Sequence, residues 1–106
     1  MSGSEHENWI LIKVKNKNGE FYKIMFFVKG EYTGEGDIEI STEVKSVSYH
    51  DGTYKFLCKR GMKYFCKEEN YGMTVAGSRE LIKLQIQNPN VYTPYLEMDH
   101  DFIMSI

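Results

Sequence analysis

Residues 20–29 (EFYKIMFFVK) constrain this chain more than any other stretch, because they are apolar on both faces of a strand. Successive side chains of a strand point to opposite sides. Tyr22, Ile24, Phe26 and Val28 therefore share one face, and Phe21, Met25 and Phe27 share the other. Such a strand needs cover twice, since three large apolar side chains left together in water are unusual on a monomer. A chain of 106 residues suits one domain with one core. The 42% apolar content is that of a globular protein, and Tyr and Phe supply much of it.

Turn signals cut the remainder into short strands. Residues 9–15 place Ile10, Ile12 and Val14 on one face and Lys13 and Lys15 on the other. Asn18-Gly19 then predicts a hairpin, with a type I′ turn that needs positive φ at both central residues. Residues 30–36 read as a loop, and 37–41 and 44–49 as alternating strands. Asp51-Gly52 is a tight turn, and residues 53–59 and 62–67 pair around Arg60-Gly61. A turn at 69–72 leads into a strand at 73–76. Residues 79–87 alternate with Ile82, Leu84 and Ile86 inward, and Asn88-Pro89-Asn90 breaks that strand before weaker ones at 91–96 and 102–106. No helical period emerges, and the connections are too short for crossover helices. The pattern predicts an all-β, antiparallel fold: a jelly roll, sandwich or barrel. Residues 1–8 read as a disordered or tag-like start, and 9–106 as a single β domain.

Nothing in the sequence assembles a catalytic or metal site. His6, His50 and His100 are far apart and form no closely spaced pair. Cys58 and Cys66 are too widely spaced for Cys-x-x-Cys chemistry and lack the second pair that zinc requires. Both share a face with Phe56 and Tyr64, where they could meet across the hairpin, and without a secretory signal they read as buried, reduced thiols. No serine sits in a Gly-x-Ser-x-Gly elbow, and Asp99-His100-Asp101 reads as a solvated turn. The glycines at 30, 34 and 36 lack the lysine and helix of a phosphate loop. The expectation is a binding protein, not an enzyme, with no cofactor.

Charge points to the kind of partner. A net charge of −2 disfavours direct nucleic-acid binding, which draws most of its affinity from phosphate contacts. No apolar run approaches the ~20 residues that cross a bilayer. Lys55, Lys59, Lys63 and Lys67, with Leu57 and Phe65 between them, line the outer face of one hairpin and could receive an acidic protein partner. The plainer meaning of such lysines is solubility and protection of a sheet edge. Glu31, Glu35, Asp37, Glu39 and Glu43 form an opposing acidic stretch.

Several segments follow one another in a known order: Ile24-Met-Phe-Phe-Val28, Gly36-Asp-Ile-Glu-Ile40, Gly52-Thr-Tyr-Lys-Phe-Leu57, Arg60-Gly-Met-Lys-Tyr64 and Ile82-Lys-Leu-Gln-Ile-Gln87. Over residues 24–87 this resembles the cupin jelly roll, most of all the metal-free cupins of the centromere protein C family. Gly61 and Tyr64 fit that family's corner, whereas Lys59 stands at its proline and Glu68 at its asparagine. The resemblance places Thr42, Val44 and Tyr64 where catalytic cupins carry metal ligands, and so implies a cupin without metal. It further implies a homodimer that serves as a protein-interaction domain at the kinetochore, in the nucleus; without it, a cytoplasmic setting is equally open. Phe21, Met25 and Phe27 are the expected dimer interface, unless residues 9–14 or 91–106 cover them within one chain, and Lys55, Lys59, Lys63 and Lys67 are the expected partner-binding residues. On that reading Phe27→Asp separates two folded copies. Two alternatives stand beside it. One is a small-molecule-binding barrel with Tyr22, Phe26, Tyr54, Phe56 and Tyr64 around an interior pocket, and the other is an unrelated viral or secreted sandwich.

Overall fold

A computed structural model of the chain describes residues 8–29, 36–73, 75–87 and 91–106. The described elements are β1 (Asn8–Asn16), β2 (Gly19–Lys29), β3 (Gly36–Ile40), β4 (Val44–His50), β5 (Thr53–Cys58), β6 (Lys63–Lys67), α1 (Val75–Gln87), β7 (Val91–Tyr95) and α2 (His100–Met104). They form two antiparallel sheets, a larger one in the order β3-β2-β1-β7 and a smaller one in the order β4-β5-β6. In the larger sheet three consecutive strands are joined by a fourth that returns beside the first, which is the strand order of a Greek key. All but the last of the expected residues 1–8 lie outside the described residues, and Asn8 opens β1.

Three tight connections set the register. At Asp51-Gly52 both residues have positive φ, 50° and 78°, and His50 pairs with Thr53 across a type I′ turn. Arg60 and Gly61 likewise adopt φ of 66° and 73° between β5 and β6. The first hairpin forms differently from the type I′ expectation. Its pairing of Asn16 with Gly19 makes Lys17 and Asn18 the central residues, and of these positions only Gly19 has positive φ. Asn16 Oδ1 accepts a bond of 2.8 Å from the Asn18 N–H, an Asx turn that supplies the bend instead.

The two-faced strand is covered on both sides, by different layers. Between the sheets, Trp9, Leu11, Ile24 and Phe26 meet Val44, Tyr54, Phe56, Cys58 and Cys66, with Ile103 of α2 closing one end. On the far side of the larger sheet, Ile10, Ile12, Val14, Met25 and Phe27 pack with Leu81 of α1. The molecule is thus helix on sheet on sheet, and consecutive residues of β1 serve alternate cores.

Two expected strands are helices, and the one expected at 73–76 also gives way, since Val75 and Ala76 open α1. Residues 79–87 belong to α1, where Leu81 is buried while Ile82 and Ile86 are exposed, so the expected inward row Ile82, Leu84, Ile86 does not exist. The segment offers Glu80, Leu81, Lys83, Leu84 and Gln85, all good helix formers, and an apolar sheet face lies ready to receive Leu81. Residues 102–106 fall mostly in α2, whose start is capped by Asp99 accepting from the Phe102 N–H at 3.1 Å. The all-β expectation is therefore corrected to a β-rich fold with an outer helix and a short closing one.

Candidate functional site

The smaller sheet carries a face with a distinct chemistry. Its turns align three rows of outward side chains: His50, Thr53 and Lys67; Ser48, Lys55 and Phe65; Ser46, Leu57 and Lys63. Phe65 is 54% exposed and Leu57 37%. No carboxylate stands in these rows, and among the described residues none of the three lysines is ion-paired. A shallow depression of about 340 Å³ lies beside Phe65, lined by Ser48, His50, Asp51, Thr53 and Lys55. The arrangement is a flat apolar-aromatic centre ringed by ammonium groups and small hydroxyls.

Three of the four expected partner-binding lysines, Lys55, Lys63 and Lys67, are brought together on this face. Lys59 is not. It lies in the turn beyond β5, where its Nζ pairs with Glu43 at 3.1 Å. Its N–H donates to the Glu43 carbonyl at 2.8 Å and its carbonyl accepts from Thr42 Oγ1 at 2.9 Å, so it fastens the crossing between the sheets. Ser46, Ser48, His50 and Thr53 also belong to the face, although the sequence pattern does not single them out. Counting outward from Asp51-Gly52 in a two-residue turn finds all four.

The expected dimer interface has a different place. Met25 and Phe27 are buried within the chain against Leu81 of α1, and Phe21 packs at the margin of that core with Lys23 Nζ 5.6 Å from its ring centroid. Met25 and Phe27 present no free surface to a second copy, because a helix covers them where the alternating pattern predicts a strand, whereas Phe21 stays partly exposed. The expected interior pocket is filled as well. Phe26, Tyr54 and Phe56 are buried, and the rings pack on one another: Phe26 with Tyr64 at 5.3 Å, Tyr54 with Phe56 at 6.0 Å, Tyr22 with Phe102 at 5.8 Å. Of the positions assigned to lost metal ligands, Thr42 bonds the Lys59 carbonyl, Val44 is in the core and Tyr64 lies on Phe26.

The cysteines do not face each other. Cys58 stands opposite Met62 and Cys66 opposite Tyr54, four residues apart along the ladder, or roughly 13 Å at the rise of a strand. A disulfide needs Cα atoms within about 7 Å, so both are reduced thiols. Burial pushes the Cys58 thiol up, more than the neighbouring hydroxyls of Ser41 and Thr42 lower it, which disfavours the nucleophilic thiolate. Among the described residues no three His, Cys, Asp or Glu side chains come together to hold a metal. His6, Glu31 and Glu35 lie outside the described residues.

Two polar clusters elsewhere serve the fold. Tyr54 Oη lies 2.5 Å from His100 Nδ1, while Tyr49 stacks edge-on against the His100 ring and donates to Glu68 Oε1 at 3.0 Å. Burial pushes the Tyr54 phenol up to about 12, so it stays protonated at neutral pH and cannot act as a base. The pair ties α2 to the smaller sheet. Along the other end, a cleft of about 390 Å³ runs between Leu11, Tyr71 and residues 94–99, and Tyr71 spans it. The Tyr71 hydroxyl accepts from the Leu11 N–H at 3.1 Å and donates to the Tyr95 carbonyl at 2.5 Å, which satisfies the polar groups of the seam.

Among the described residues no helix is long and apolar enough to cross a membrane. No protein-family model, no curated protein and no solved structure matches this chain.

Proposed function

We propose that this chain is a non-catalytic protein-interaction domain and that it holds its partner on the outer face of β4, β5 and β6. One observation carries the reading: Lys55, Lys63 and Lys67 surround a half-exposed Phe65 in strand rows that hold no carboxylate, with Asp51 in the turn at one end. An exposed aromatic inside a ring of charge combines an apolar anchor with groups that select an acidic partner. Lysines spread for solubility alone need no such centre. A cupin-like jelly roll is the finer reading of the frame, supported by the two antiparallel sheets and the Greek-key order of the larger one. A kinetochore setting and a homodimer rest on the cupin resemblance alone.

The test is a fluorescein-labelled acidic peptide containing leucine, titrated by anisotropy and mapped by amide chemical shifts. Binding is expected to weaken with salt, to shift residues of β4–β6, and to fall about tenfold in Phe65→Ser and in Lys55→Glu. Arg79→Glu on α1 leaves it unchanged. Shifts confined to other surfaces, or equal binding by Phe65→Ser, would remove this face from the function.

A further inference from the structure

The open edge of the smaller sheet narrows what the partner looks like, an inference that rests on the binding reading above. β6 is the last strand of its sheet, and among the described residues no strand pairs with its far side. Cys58 N donates to the Met62 carbonyl at 2.8 Å and Glu68 N to the Gly52 carbonyl at 2.9 Å. In an antiparallel ladder bonded and non-bonded pairs alternate, so Tyr64 and Cys66 exchange their bonds with β5. Lys63, Phe65 and Lys67 consequently aim their N–H and C=O groups outward. Of these, the Lys67 carbonyl takes the Trp9 indole N–H at 2.7 Å. Among the described residues the groups of Lys63 and Phe65 and the Lys67 N–H have no backbone partner, and they form a template for one more strand.

The same three residues put their side chains on the candidate face, in the order Lys, Phe, Lys. A second β6 added antiparallel would set Lys63 against Lys67 twice, and like charges directly opposite are destabilising. Self-pairing is therefore disfavoured, and an acidic strand is favoured. Lysines that merely guarded the edge would account for positions 63 and 67. They would not account for Phe65, 54% exposed between them.

We propose that β6 accepts an extended segment of a partner protein as a fourth, antiparallel strand. The segment would read acidic–x–apolar–x–acidic, its carboxylates meeting Lys67 and Lys63 and its apolar side chain lying beside Phe65. Backbone bonds supply the affinity, and the alternate side chains supply the selection.

The experiment uses the full chain and a nine-residue peptide centred on Glu-Thr-Leu-Thr-Glu, compared with three probes. These are a scramble with its glutamates adjacent, the same peptide N-methylated at the central leucine, and a nine-nucleotide single-stranded deoxythymidine. The patterned peptide is expected to bind about tenfold tighter than the scramble or the N-methyl form, and to slow hydrogen exchange at the Phe65 and Lys63 amides. The Lys63→Glu/Lys67→Glu double variant, confirmed folded by circular dichroism, should lose that preference and gain one for the Lys-Thr-Leu-Thr-Lys counterpart. Equal binding of patterned, scrambled and N-methylated peptides, with shifts still on β4–β6, overturns the added strand but leaves the binding face. No binding by any peptide overturns both. Tighter binding of the oligonucleotide overturns the choice of a protein partner.

Discussion

Tyr54 shows what one buried side chain does for the fold and when it stops doing it. Its ring lies between Trp9, Tyr49 and Phe56, and its hydroxyl reaches His100. Because burial disfavours the phenolate, its pKa rises from the ordinary 10.0 to about 12. A group held protonated in the folded state adds stability in full below its unfolded value, and that contribution fades as pH climbs to the folded one. The window is thus pH 10 to about 12. Tyr64, Tyr71 and Tyr95 are raised in the same direction, chiefly by burial, so the whole chain should lose stability there. Thermal unfolding measured from pH 8 upward is expected to hold near neutrality and fall above 10. Tyr54→Phe isolates this residue. It costs about 1 kcal/mol at pH 8 through the lost hydrogen bond, and its deficit relative to wild type should shrink as pH passes 10. A deficit that stayed constant across that window would mean that Tyr54 ionises as freely in the fold as in the unfolded chain.

At the scale of elements, α1 carries the largest difference between expectation and structure, and it can be tested directly. Leu81 is 5% exposed against Met25 and Phe27, while Ile86 is 80% exposed. Leu81→Ala should cost ~2–4 kcal/mol in urea unfolding, whereas Ile86→Ala stays within about 0.5 kcal/mol of wild type. The strand reading demands the opposite order, since it turns Ile82 and Ile86 inward. Ile82, Leu84 and Ile86 fit a period of two. Leu81 and Leu84, the two residues that share the helix face, are too few to announce one of 3.6, and only the bare sheet face decides between them. That face is a tertiary fact, invisible locally. Where chemistry is local, the sequence was legible. Asp51-Gly52 and Arg60-Gly61 announce their turns, and the turns then place Lys55, Lys63, Lys67, Leu57 and Phe65 on one face. Lys59 escapes because a three-residue turn takes it out of the strand, and the contribution of β4 needed the register across Asp51-Gly52. The open edge of β6 needed knowledge of which strands end the sheet, and β7 lying beside β1 is not announced by any turn.

For the whole molecule, the decisive feature is that the larger sheet belongs to two cores at once. Along β1, Trp9 and Leu11 enter the core between the sheets, and Ile10, Ile12 and Val14 enter the one under α1. Neither core can come apart without disturbing the strand that the other depends on, so both should unfold together. The chain provides a probe for each layer: Trp9, its single tryptophan, reports the inner core, and far-ultraviolet circular dichroism includes the helix of the outer layer. Urea curves from the two probes are expected to superimpose, and Phe56→Ala in the inner core should move both by the same ~3–5 kcal/mol. Phe27→Asp is the harder case. A substitution that the dimer reading expects to separate folded copies instead places an unpaired carboxylate beneath α1, beside Met25 and Leu81. Leaving a buried charge without a partner costs several kcal/mol, a large share of the ~5–15 kcal/mol that holds a domain together. Phe27→Asp should therefore lose Trp9 burial and sheet signal together at low urea, although Trp9 lies on the opposite face of the sheet. If circular dichroism changed while Trp9 fluorescence held, α1 would be a separable layer, and the larger sheet with β4–β6 would stand as a folding unit without it.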